Sequence, residues 1–169
     1  MKRLLADVNV VLDAVLERGA RSEAAARLWM AVETKRVEAL VPAHGITTVF
    51  YLLARQKGAP FARRIVSSIV GTFGVATVNG AVIGRALSLA WPDFEDAVCA
   101  AAAEAAGCEA IVTRDPGGYP GSSVPVLSPE AAVALLEGGP PDRVAESPGL
   151  YKTRLRARAS RDGASRRRP

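Results

Sequence analysis

Apolar residues along this chain follow two alternating patterns. Short apolar runs at residues 3–6, 37–41, 73–78, 109–113 and 124–127 have the length and flanks of buried strands. Between them, apolar residues return at three- and four-residue intervals, as in helices that bury one face. Residues 10–17 carry Val11, Leu12, Val15 and Leu16 at this spacing, and residues 45–56 carry Ile46, Val49, Phe50, Leu53 and Ala54. Ser22 predicts the N-cap of a helix running to about residue 36. Pro60 starts a helix over 60–71, Asn79 caps one running to residue 90, and Ser128 with Pro129 opens a last one ending at Gly138. The alanine-rich stretch 93–106 predicts another, with Gly107 as its stop.

Strands therefore alternate with helices, which predicts a mainly parallel sheet wrapped by helices. In such sheets a site lies outside the carboxyl ends of the strands. No internal repeat is present.

Composition narrows the chemistry. The chain has 169 residues and 49% hydrophobic residues, enough for one domain with a substantial core. Two cysteines, Cys99 and Cys108, exclude a disulfide scaffold or a four-cysteine zinc site and read as buried small hydrophobes. The single histidine, His44, excludes multi-histidine metal sites and reads first as a structural residue. No apolar run approaches a membrane span, and Asp7 interrupts the first one, which argues against a secretory leader. A cytoplasmic setting with no membrane partner is expected.

Charge divides the chain. Residues 1–138 carry 13 Lys and Arg against 14 Asp and Glu, a net of −1; residues 139–169 carry 9 against 3, a net of +6. A domain over 1–138 and a solvated basic tail over 139–169 are expected. Lys152, Arg154, Arg156 and Arg158 would line one side of an extended tail. With Arg166, Arg167 and Arg168 they could neutralise RNA phosphates.

The acids fall at the ends of elements. Asp7 closes the first strand, Asp93, Glu95 and Asp96 open the alanine-rich helix, and Asp115 follows the fourth strand. Each has an ordinary structural reading. Asp93 suits an N-cap, Asp96 a first helical turn, and Asp115 before Pro116-Gly117 a turn. Their joint arrival at one rim of a parallel sheet would create repulsion that a hard cation, Mg²⁺ or Mn²⁺, could neutralise. Such an ion can activate water and stabilise the leaving oxygen of a phosphodiester.

The segments Leu4-Leu-Ala-Asp7-Val-Asn9-Val-Val-Leu-Asp13, Asp93-Phe-Glu-Asp96-Ala97 and Ile111-Val-Thr113-Arg114-Asp115 resemble, in order and spacing, the motifs of PIN-domain nucleases. The resemblance runs from Met1 to about Glu137. It implies a three-layer α/β/α sandwich around a mainly parallel sheet. It also implies a divalent-metal-dependent endoribonuclease, often the toxin of a VapBC-type toxin–antitoxin pair. By that resemblance Asp7, Asp96 and Asp115 match the metal-binding acids, and Asn9 and Thr113 the polar residues that support them. Asp93 and Glu95 sit beside the match, Asp93 as a further catalytic acid and Glu95 as support. A homodimer and a cognate antitoxin are implied as partners beside the RNA substrate.

One departure concerns the helix after the second strand, where the family usually carries a Glu. Here Thr48 takes the expected position, and no acid occurs between Glu38 and Asp93. Glu95 could substitute, one metal could bind less firmly, or activity could be weak. The alternative function is a weakened or inactive PIN fold that binds RNA or protein. Other phosphate chemistries fit worse. Asp7-Val-Asn9 lacks the second acid of a haloacid-dehalogenase-type phosphatase, and no Lys lies between Lys57 and Lys152 for a receiver domain. No phosphate-binding glycine loop is present.

Overall fold

The computed structural model describes residues 3–16 and 21–138, apart from the side chain of residue 21. Five strands, β1 (Arg3–Ala6), β2 (Glu38–Pro42), β3 (Gly74–Ala76), β4 (Ala110–Val112) and β5 (Val126–Leu127), form one sheet in the order β3-β2-β1-β4-β5. Every pairing is parallel. Seven helices join them: α1 (Val8–Leu16), α2 (Arg21–Glu33), α3 (Ala43–Lys57), α4 (Ala59–Thr72), α5 (Gly80–Leu89), α6 (Phe94–Ala105) and α7 (Pro129–Glu137).

The pleat sends alternate residues to opposite faces. Leu4 and Ala6, Ala39 and Val41, and Ala110 and Val112 pack against α1, α2, α3, α4 and α7. Leu5, Leu40, Ile111 and Val126 pack against α5 and α6. The sheet is covered on both faces, which makes the expected α/β/α sandwich. In α6 seven consecutive residues, Ala97 to Ala103, are buried, and five are alanine. Their small side chains let α6 lie close to both the sheet and α5.

Local chemistry sets the element ends. Asn79 Oδ1 accepts from the Val82 amide at 3.1 Å, and Ser128 Oγ from the Ala131 amide at 3.1 Å, as N-caps do. Gly107, at φ 62°, ends α6 with the paired bonds of a Schellman motif: Cys108 N donates to Ala103 O and Gly107 N to Glu104 O. Both cysteines are buried and free, as expected.

Several expected element ends change. Ser22 lies inside the first turn of α2, which begins at Arg21, so it is not the N-cap; α2 stops at Glu33, short of residue 36. There Thr34 Oγ1 turns back to the Met30 carbonyl at 2.7 Å, and Lys35 adopts φ 61°. β3 is shorter than 73–78 because Phe73 closes α4, its amide donating to Ile69 O. At Gly74 a Cβ would fall 2.4 Å from Leu40 Cδ2, so glycine lets β3 approach β2. α1 starts at Val8, two residues before the apolar spacing indicated.

The basic tail over 139–169 lies outside the described residues, and with it Lys152, Arg154, Arg156, Arg158, Arg166, Arg167 and Arg168. Among the described residues no helix is long and apolar enough to cross a membrane.

Candidate active site

β2 and β3 lie on one side of β1, and β4 and β5 on the other. The order in which successive strands are added therefore reverses between β1 and β4, and such a switch opens a crevice at the strands' carboxyl ends. A pocket of about 330 Å³ is lined there by Asp7, Asn9, Pro42, His44, Asp93, Glu95, Asp96, Cys99, Thr113, Arg114 and Asp115, with Val8 beside them.

Asp7 follows β1 directly, and its amide continues the ladder by donating to Val112 O at 2.9 Å. Its carbonyl accepts the Val10 and Val11 amides that begin α1. Its carboxylate is buried and held from two sides. Thr113 Oγ1 donates to Oδ2 at 2.9 Å, and the Asn9 amide to Oδ1 at 3.3 Å. Thr113 Oγ1 also accepts the Asp115 amide at 3.2 Å, so one buried hydroxyl connects the Asp7 carboxylate to the Asp115 backbone. Asn9 thus meets Asp7 through its backbone amide, and Thr113 through its hydroxyl.

The α6 end brings the other acids. Asp93 Oδ1 accepts from the Glu95 amide at 2.9 Å and the Asp96 amide at 3.2 Å. Asp93 thus fills its ordinary role as N-cap while also lining the pocket. Asp96 sits one turn in, partly buried. Its carboxyl is pushed up to about 6, first by burial and then by the negative charges of Asp93 and Asp7, with Asp115 adding to them. Gly118, in the short 3₁₀ turn Pro116–Gly118, packs on this carboxyl: a Cβ there would fall 2.5 Å from Asp96 Oδ2 and 3.8 Å from Asp115 Oδ2. A larger residue at 118 would have to displace the Asp96 carboxyl.

His44 and Thr48 change the picture of α3. The helix begins immediately after Pro42, which places His44 in the pocket wall. Thr48 lies one turn further along, is not among the pocket-lining residues, and its hydroxyl donates to the His44 carbonyl at 3.4 Å. The gap left by the absent Glu is therefore faced by His44. Its Nε2 lies 4.0 Å from Glu95 Oε1, and its buried Nδ1 has no hydrogen-bond partner. Burial lowers its pKa, against the raising influence of Glu95 and Asp7, which keeps the ring neutral near pH 7.

Two further residues were not singled out from the sequence for a role. Asp13, on α1, is 1% exposed and pairs with Arg114 Nη1 at 3.1 Å. Arg114 stands between Thr113 and Asp115, so this part-buried ion pair fastens α1 to the loop that carries them.

The pocket carries hard carboxylate oxygens from three parts of the chain, which suits a divalent cation in donor chemistry. Burial first, and then the neighbouring carboxylates of Asp93, Asp7 and Asp115, raise Asp96 against the lowering influence of Tyr119. Among the described residues no three His, Cys, Asp or Glu side chains stand close enough to form a ready ligand shell. The acids line one wall system but would have to draw together around an ion.

Residues 3–116 match the family described as PIN domain. No curated protein matches the sequence. Among solved structures, the chain is similar to Mycobacterium tuberculosis VapC20, described as a Sarcin-Ricin loop cleaving toxin. The TM-score is 0.57 and the identity 16%, over 70% of this chain and 95% of that one. It is similar to VapBC-1 from nontypeable Haemophilus influenzae, with TM-score 0.60 and 9% identity over 76% of this chain and 98% of that one. It is also similar to FitAcB from Neisseria gonorrhoeae, with TM-score 0.57 and 20% identity over 75% and 98% of the respective chains. At these identities the neighbours establish the fold, and the family match covers about two-thirds of the sequence. The chain belongs to the PIN-domain family.

Proposed function

We propose that this PIN-domain chain is a metal-dependent endoribonuclease and the toxin of a type II toxin–antitoxin pair, working as a homodimer with a cognate antitoxin in the cytoplasm. The observation that carries the nuclease reading is the convergence of Asp7, Asp96 and Asp115 on one pocket at the β1–β4 switch point. The raised Asp96 supports it, because a polyacidic pocket is costly unless a cation offsets its charge. The toxin reading takes support from the VapC, VapBC and FitAcB neighbours.

Asp7, Asp96 and Asp115 would hold a Mg²⁺ or Mn²⁺ ion. The ion, when bound, would supply a water of lowered pKa and charge stabilisation at a phosphodiester. The chain's own residues hold the arrangement. Thr113 and the Asn9 amide fix the Asp7 carboxylate, Asp93 fixes the start of α6, and the Asp13–Arg114 pair anchors the loop of Asp115. Glu95, facing His44, adds negative charge beside Asp96 without touching it through a hydrogen bond among the described residues. Among the described residues that line the pocket there is no Ser, Tyr or Lys, and Cys99 is buried with its thiol pushed far up by burial. Water is therefore the nucleophile.

The second reading, a PIN fold that binds RNA or protein without cutting it, draws on the absence of a ready ligand shell among the described residues. Purified full-length protein incubated with labelled single-stranded RNA, double-stranded RNA and single-stranded DNA decides between them. Mg²⁺-dependent cleavage of RNA that EDTA abolishes supports the nuclease. RNA binding without cleavage at any Mg²⁺ or Mn²⁺ concentration supports the second reading.

A further inference from the structure

The helical hairpin α3–α4 carries cations that no acid neutralises. No Asp or Glu occurs between Glu38 and Asp93. Arg55, Lys57, Arg63 and Arg64 are exposed, and among the described residues none makes an ion pair. Each lies instead over an aromatic ring. Arg55 is 5.5 Å from the centre of Tyr51, Arg63 5.6 Å from Phe50, and Lys57 and Arg64 both 5.7 Å from Phe61. Gly58, at φ 85°, joins the two helices through a single residue and so keeps the four cations together at the hairpin tip. Tyr51 is 58% exposed, a ring already flanked by a guanidinium and open to solvent.

Aromatic faces interleaved with guanidinium groups that make no ion pair among the described residues suit single-stranded nucleic acid, where bases stack and phosphates are neutralised. The pocket strengthens the argument. Asp7, Asp93, Glu95, Asp96 and Asp115 repel a polyanion, and the nearest arginine, Arg114, is already tied to Asp13. A phosphate chain reaching that pocket needs a cationic foothold elsewhere. The hairpin offers one on the helix whose first turn lines the pocket: Arg55 lies eleven residues beyond His44, about 16 Å along α3.

We propose that the α3–α4 hairpin is a binding surface for single-stranded RNA, holding the strand several nucleotides away from the acidic pocket, with Arg55, Lys57, Arg63 and Arg64 on phosphates and Tyr51 under a base. This rests on the nuclease reading for its substrate, but binding is measured without cleavage. The full-length chain carrying Asp7→Asn is titrated with fluorescent oligoribonucleotides of increasing length over a range of salt concentrations. The same chain with Arg55→Gln, Arg63→Gln and Arg64→Gln is compared, thermal melts confirming that both are folded. Affinity for the longer oligonucleotides falls about tenfold near 0.1 M salt, and the slope of log K against log salt flattens by about 2. Replacing the same arginines with lysine retains the slope, and Tyr51→Ala weakens binding several-fold while leaving the slope in place. Ultraviolet crosslinking to RNA maps to Tyr51. Equal affinity and slope in the glutamine variant overturn the proposal. So does loss of a protein partner's binding with RNA binding intact, which makes the hairpin a protein-docking surface. A wild-type chain that binds RNA through the hairpin yet never cleaves it contradicts the nuclease reading alone.

Discussion

The Thr113 hydroxyl donates to Asp7 Oδ2 at 2.9 Å across the gap between β4 and β1. It also accepts the Asp115 amide at 3.2 Å. One small buried side chain thus connects two acids that are 108 residues apart in sequence (7 to 115). Replacing it by valine keeps the β-branched shape and removes both bonds. Thr113→Val is expected to destabilise the fold by about 2 kcal/mol at neutral pH, the size of a lost hydrogen bond to a charged group. RNA cleavage should fall with it, while Thr113→Ser restores most of both. Urea unfolding followed by circular dichroism reads the first effect, and single-turnover cleavage the second.

The Asp13–Arg114 pair makes a different prediction. Asp13 is almost fully buried, so Arg114→Ala leaves a charge without its partner. The expected cost is about 3 kcal/mol, at the lower end for a broken buried pair because Arg114 itself is partly exposed. The double variant Asp13→Leu with Arg114→Met should recover much of that loss. A double variant as unstable as Arg114→Ala would show that packing, not the orphaned charge, dominates.

Asp96 predicts a pH dependence of the metal-free protein. Its carboxyl rises from an ordinary value of 3.8 to about 6 in the folded state. Between those two values the folded form holds a proton that the unfolded form has lost, so stability falls as pH rises through this window. Above pH 6 the cost of the ionised carboxyl is fully present. Asp96→Asn should flatten the curve between pH 4 and pH 6 and raise stability at pH 7. Added Mg²⁺ should stabilise the wild-type protein at pH 7 and the variant much less. Melting curves in EDTA at several pH values test it, and a slope of the opposite sign contradicts the origin assigned to the shift.

Much of this fold is legible in the sequence, because apolar runs and helical spacing directly record which residues meet the core. The caps Asn79, Asp93 and Ser128 and the Gly107 stop are local chemistry and appear where their residue types predict. Asp7 and Asp115 at the carboxyl rim follow from strand ends, and Asp93 and Asp96 from the start of a helix. What could not be read was rotation and long-range pairing. α3 starts hard against Pro42, so position 44 faces the pocket and position 48 lies a turn beyond it; the apolar spacing alone placed the start near 45. Asp13 and Arg114 are 101 residues apart, and nothing local marks either as the other's partner. Gly118 reads as one turn glycine among several until its contact with Asp96 is seen.

That rotation carries a prediction of its own. A carboxylate introduced at position 44 enters the pocket wall, whereas one at position 48 does not. His44→Glu should raise Mn²⁺ affinity in a calorimetric titration, by adding a hard ligand beside Asp7 and Glu95. Thr48→Glu should leave affinity close to the wild-type value. The reverse order would mean that α3 turns its other face to the ion.

The most direct test of the account is cleavage of an end-labelled RNA by the purified full-length chain and its Asp7→Asn variant across a Mg²⁺ titration. The account predicts cleavage by the wild-type chain that rises with Mg²⁺ and stops with EDTA. It predicts none by Asp7→Asn, which keeps the wild-type circular dichroism spectrum because the amide preserves the side chain's shape. Equal cleavage by both proteins would remove Asp7, and with it the pocket at the β1–β4 switch point, from the chemistry.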